Sequence, residues 1–196
     1  MTTSTTPTTE LDAVNLMLSV IGESPLSTLL DVTVVDAVMS QQVLSEVSRT
    51  VQARGWHFNT EKKYPLLPDA ITGEINVPLN CLRVDTTYPD QDTDAVHRGK
   101  RLYNRRTHTY QFTKGVMVDM VVVLPFEELP ETARHYIAVR AAREFQARTV
   151  GSDSLYSFTA QNEKDARSTF IKAEGVTADH NILTGSWSVS NILQRR

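Results

Sequence analysis

Cysteine is nearly missing from this chain: its 196 residues hold a single one, Cys81. That excludes an internal disulfide, a CxxC redox pair and any thiolate zinc cluster, and it suits synthesis in a reducing compartment. Long apolar runs are missing as well. The longest, residues 120–124, falls far short of the ~20 residues that a membrane-spanning helix requires. The first residues carry neither a basic nor an apolar segment, so no secretory leader is expected. Charge of one sign is not in large excess either: 20 Lys and Arg stand against 23 Asp and Glu, a net of -3. Bulk attraction to nucleic acid or to an anionic membrane is therefore not expected.

Catalytic and cofactor motifs are absent too. No GxSxG, P-loop, GxGxxG or HExxH occurs, and the five histidines (His57, His97, His108, His135, His180) show no paired metal spacing. His97 and His108 facing each other across a hairpin is the one arrangement to weigh, and a surface position is favoured for both. Asp90, Asp92 and Asp94 imitate the start of a calcium loop. Ala95 then stands where glycine is needed and Arg101 where glutamate is needed, so the match fails. No cofactor is expected. Glu127, Glu128 and Glu131 surround Pro130, where the positive end of a helix dipole favours carboxylates. A glycosidase carboxylate pair is the alternative reading of the same residues.

What the chain does have is helical and strand periodicity in separate blocks. Residues 1–9, mostly Thr and Ser, read as a flexible arm. Thr9 with Asp12 reads as a helix cap, followed by Leu11, Val14, Met17, Leu18 and Ile21 on one face up to Gly22. Across residues 31–59, Val35, Met39, Val43, Val47 and Val51 recur every fourth position, with Val38 and Leu44 widening the stripe, and Gly55 closes this second helix. Trp56 and Phe58 follow at period two and are expected to anchor the junction with the next module.

Residues 61–127 switch to short β-type runs at 64–67, 74–77, 82–86, 100–103, 109–112 and 116–124, punctuated by Pro and Gly. The last run turns apolar on both sides, so it is expected to be the most buried. Two further helices are expected across residues 128–175. The third has Ala133, Ile137, Ala141 and Phe145 on its face. The fourth has Leu155, Phe158, Thr159, Asn162, Ala166, Phe170 and Ala173, and Gly175 ends it. Residues 176–196 are polar with isolated apolar anchors, Ile182, Leu183, Trp187, Ile192 and Leu193, a pattern that suits docking on another protein. The fold class expected is α+β: about four bundled helices over residues 10–60 and 128–175, a small antiparallel β module inserted between, and an extended C-terminal tail.

Charge is patterned within the β module. Asp90, Asp92 and Asp94 close an acidic stretch, and Arg98, Lys100, Arg101, Arg105 and Arg106 dominate the basic stretch that follows. Opposite blocks on one small module suit contacts between copies, the acidic loop of one meeting the basic hairpin of the next. A phosphate-binding role is the weaker alternative, with only Tyr103, Tyr110 and Phe112 interleaved.

Taken in order, Ala13-Val14-Asn15, Ile21-Gly22-Glu23-Ser24-Pro25-Leu26-Ser27-Thr28-Leu29, Arg54-Gly55-Trp56-His57-Phe58-Asn59, Leu66-Leu67-Pro68-Asp69, Glu128-Leu129-Pro130-Glu131 and Asn181-Ile182-Leu183 carry a resemblance. The chain resembles the tail tubular protein A family of short-tailed bacteriophages. The resemblance covers nearly the whole length and is weak between residues 76 and 123. It implies a structural virion protein, not an enzyme. In that family, copies form a ring, typically twelve-fold, that adapts the portal protein to the tail nozzle (tail tubular protein B). The ring forms part of the conduit for ejected genomic DNA, without specific binding to it, and carries tail-fibre attachment sites. A tail-associated polysaccharide hydrolase and a DNA-binding module are the alternative functions.

Overall fold

Thr9 begins the first helix as its sequence requires. Its hydroxyl accepts the Asp12 N–H at 3.1 Å while the Asp12 carboxylate takes the Thr9 N–H and hydroxyl. This capping box opens α1 (Glu10–Ile21), holds the Asp12 carboxyl below its usual range, and is worth about 1 kcal/mol. Gly22 closes the helix at φ +84°, a left-handed cap that a Cβ would strain. The connection after Pro25 is fixed by Asn15, which donates to the Leu26 carbonyl and accepts its N–H, at 3.0 and 2.7 Å. The computed structural model describes residues 6–30, 35–90, 92–151 and 153–177, with 153–159 as backbone alone.

Four helices and two small antiparallel sheets make up the described residues, an α+β fold. α2 (Val35–Gln52) departs from the expected stripe. Val35 is 70% exposed and Val38 and Met39 lie outward, while Ala37, Ser40, Val43, Leu44, Val47, Ser48, Val51 and Gln52 are buried. The reason is steric and local. Small residues in the first two turns admit the neighbouring helices, and the Ser40 hydroxyl is satisfied by the Ala37 carbonyl at 2.8 Å.

The β part lies in the chain between α2 and α3. β1 (Thr60–Leu66), β2 (Cys81–Thr86) and β5 (Val116–Val122) form a three-stranded antiparallel sheet with β5 in the middle. β3 (Ala95–Arg98) and β4 (Arg101–Asn104) form a separate hairpin that turns at Gly99, φ +64°. The expected runs at 74–77 and 109–112 hold isolated bridges, two in each, rather than strands, and residues 95–98 form a strand that periodicity alone does not reveal. Opposite His97 stands Leu102, not His108. Val116, Val118, Met120 and Val122 of β5 point into an apolar core with Ile75, Leu102 and Phe112. Val121 points the other way, and a Cβ on Gly55 would meet it at 2.9 Å.

The second core is helical. α3 (Glu131–Thr149) presents Ala133, Ala138, Ala141 and Ala142, and α1, α2 and α4 (Asp153–Thr177) close in around it. Phe145 and Phe170 are fully buried there, each worth about 1.5–3 kcal/mol of transfer free energy. Gly175 does not stop α4, which runs on to Thr177. Asn162 is exposed, and Glu163 turns toward α3 instead, its Oε2 2.7 Å from Arg143 Nε.

Candidate assembly surface

The join between the two cores is polar, which apolar patterning does not disclose. Gln52 and Asn59 are both 0% exposed. The Gln52 amide donates to the Leu124 carbonyl at 3.1 Å and accepts the Leu124 N–H at 2.8 Å, a two-bond clasp between α2 and the exit of β5. Asn59 Nδ2 donates to the carbonyls of Gln52 and Val122, and its Oδ1 accepts the Trp56 N–H. Leu124 packs against both cores.

Trp56 and Phe58 stand at this junction in the chain, but their rings turn to the helical side. Trp56 lies edge-on to Phe170 at 4.5 Å and its indole N–H reaches the Val51 carbonyl at 2.7 Å. Phe58 lies 6.3 Å from the same ring, and Tyr136 stacks on it at 5.6 Å. Residues 57–59 form a short 3-10 turn in place of an extended segment, tied to α4 where the His57 N–H meets the buried Glu174 carboxylate at 2.9 Å.

Two of the three glutamates around Pro130 serve a second helix besides the one expected. Glu127 accepts the Glu10 N–H at 3.0 Å, and Glu131 accepts both the N–H and hydroxyl of Thr8. Arg134 completes the clamp on the carbonyls of Leu129, Thr8 and Glu127. Carboxylates here complement the N-terminus of α1 as well as that of α3. They also tie down Thr8, inside the stretch read as a flexible arm.

The charge blocks are partly consumed within the chain. Asp90 is buried, accepting from Lys114 Nζ at 2.9 Å and the Met117 N–H at 3.0 Å, and these bonds hold its carboxyl below the usual range. Asp94 pairs with Arg105 at 3.6 Å, and Arg101 with Glu74 at 2.5 Å. Arg98 sits over the Tyr103 ring and Arg101 over the Tyr110 ring, while the two tyrosines meet edge-on at 4.9 Å. Among the described residues, the side chains of Asp92, Lys100 and Arg106 are exposed and form no ion pair. Burial pushes the Cys81 thiol up, leaving it a poor nucleophile. No group of three or more His, Cys, Asp or Glu among the described residues is arranged to hold a metal. The docking anchors Ile182, Leu183, Trp187, Ile192 and Leu193 lie outside the described residues.

β1 is poorly covered: residues 61–65 are exposed on both faces of the strand. Lys62, Lys63 and Pro65 occupy it, and the pairing with β5 shifts between Glu61 and Tyr64, devices that blunt an edge against non-specific strand addition. Exposed Leu67, Ile71, Leu79 and Tyr88 add apolar surface to the β part.

A family model described as tail tubular protein matches residues 11–180. The chain belongs to the tail tubular protein family. Tail tubular protein A of Klebsiella phage KP34 is 29% identical over 163 residues, covering 83% of this chain and 85% of that one. Membership of the tail tubular protein family makes this a structural protein of the phage tail, carried in the virion. No helix among the described residues is long and apolar enough to cross a membrane.

Proposed function

We propose that copies of this chain assemble into a ring, twelve-fold by analogy with the family, that joins the portal protein to the tail nozzle. The ring would line part of the path of the ejected DNA and offer attachment sites for tail fibres. The observation that carries this reading is the bare β1 strand, together with exposed Leu67 and Ile71 after it, in a chain of the tail tubular protein family. A structural virion protein with an uncovered strand and apolar tips has surface to give to neighbours. The spare charges of Asp92, Lys100 and Arg106 add complementary contacts between copies. Residues 176–196, the first two of which end α4, are assigned to docking on the portal or on a neighbouring subunit.

Sedimentation velocity and native mass spectrometry of the purified protein, alone and mixed with portal, test this. A ring-sized particle in either sample supports the adaptor reading. A monomer in both, at every concentration, overturns it.

A further inference from the structure

Two features at opposite ends of β1 complement each other. Near its start lies a cleft of about 700 Å³ between α4 and the sheet, lined by Trp56, Thr60, Lys62, Arg83, Ile171 and Glu174. Its apolar walls are Trp56 and Ile171. Among the described residues Lys62 and Arg83 form no ion pair, and these two cations stand against the single Glu174 carboxylate, which accepts the His57 N–H, so the cleft is basic in balance.

Beyond the end of β1 the chain makes a tight turn at residues 67–74. The Asp69 carboxylate accepts the N–H groups of Ile71 and Thr72 and the Thr72 hydroxyl. Backbone bonds from Gly73 N–H to the Asp69 carbonyl, and from Asp69 N–H to the Glu74 carbonyl, brace it further. This rigid turn holds Ile71 94% exposed and Leu67 74% exposed. Between Tyr64 and Leu82 the chain has two acidic residues and no basic one; Glu74 is paired with Arg101, and Asp69 is the carboxylate that forms no ion pair among the described residues. A well-braced turn that presents an aliphatic side chain to water loses little entropy when that side chain is buried by a partner.

We propose that the turn carrying Ile71 in one copy seats in the cleft walled by Trp56 and Ile171 in the next copy. Asp69 then approaches Lys62 and Arg83 of that neighbour. The proposal rests on the ring reading above and assigns its contact. A second copy is the occupant because each copy holds both halves, an acidic apolar knob and a basic apolar hole. The two lie apart by roughly 20 Å along β1, at about 3.3 Å per residue. Such a contact is heterologous and repeats head to tail, closing into a ring when the rotation permits.

Two variants test it, each in a Cys81→Ser background. One tagged chain carries Ile71→Cys and a differently tagged chain carries Ile171→Cys. Mixed and oxidised, they form the hetero-disulfide if knob and hole meet. Separately, Ile71→Asp weakens assembly by roughly tenfold or more, the factor that burying one aliphatic side chain corresponds to. It leaves the monomer melt unchanged, because Ile71 makes no core contact. Rings that form normally with Ile71→Asp, with no hetero-disulfide, overturn this contact while leaving the ring reading intact. Normal rings with lost binding of another tail protein also overturn it, by giving the knob a different occupant. A wild-type chain that never assembles overturns both.

Discussion

Asn59 is hydrogen-bonded to Gln52 across the α2–β1 connection, its Nδ2 lying 2.9 Å from the Gln52 carbonyl and 2.8 Å from that of Val122. One buried amide thus closes the end of a helix and the end of a central strand together. Asn59→Ala takes this donor from the Val122 carbonyl and this acceptor from the Trp56 N–H, while the Gln52 carbonyl keeps the Gly55 N–H at 3.0 Å. The expected cost is about 1–3 kcal/mol for each group left unsatisfied. Equilibrium urea unfolding checks it, and a midpoint within error of wild type would contradict the role.

Trp56 should matter through packing rather than charge. Trp56→Ala removes the edge contact with Phe170 and opens a cavity beside it. Because the ring is only partly buried, the loss should lie near the lower end of the ~3–5 kcal/mol found for large aromatic truncations. A thermal melt compared with that of Phe170→Ala tests this. The double variant should cost less than the sum of the two, since the rings share one contact.

Acid sensitivity should reside partly in Asp90. Its folded-state carboxyl is held low, first by Lys114 and then by the Met117 N–H. A depressed value stabilises the fold fully above the unfolded carboxylate value of about 3.9, and the contribution is lost as pH falls through the lower folded value. Melting temperature should therefore fall below about pH 4, and less steeply in Asp90→Asn. Asp12, Glu46 and Asp69 are held low as well, so the slope should flatten only in part. An unchanged acid profile in Asp90→Asn would contradict this assignment.

The spare charges of the hairpin are expected to act between copies. Lys100→Glu with Arg106→Glu should weaken assembly, and Asp92→Lys in the same chain should recover part of it. Reversing Asp90 is a poorer test, because that side chain is already spent on Lys114 and Met117. Exposed pairs contribute little singly, so the effect should appear in the block and shrink with added salt. Native mass spectrometry across ionic strengths decides it.

Deleting residues 185–196 is expected to leave circular dichroism and melting almost unchanged while abolishing co-sedimentation with portal. If the truncated chain unfolds instead, those residues belong to the core and the docking assignment fails.

Much of this fold was legible because caps and periods are local. Thr9 with Asp12, Gly22, Pro130 and the two-sided apolar run of β5 each act within a few residues of themselves. The polar junction was not, because nothing local distinguishes a buried Gln52 or Asn59 from a solvated one. Their partners lie in β5 and its exit. Glu127 and Glu131 were legible in part for the same reason: their place beside α3 is local, whereas their bonds to Glu10 and Thr8 span 117 and 123 positions. In the β part, neighbouring charges of opposite sign looked available to another subunit, whereas the turns fold several back on themselves, as with Asp94 and Arg105. The helix face of α2 was misread at Val35, Val38 and Met39, where small residues rather than large ones meet the core.

The clamp on α1 also sets a timetable. Glu10 and Glu127 are 117 positions apart, and α1 lies mainly against α3. At about 5–20 residues per second, the ribosome needs roughly 6–25 s after making the first helix before its partner exists. Until then α1 has a capped start and only α2 to lean on. Nascent chains on one message are thereby kept from completing the helical core, and with it any surface that depends on α4, before each is nearly finished.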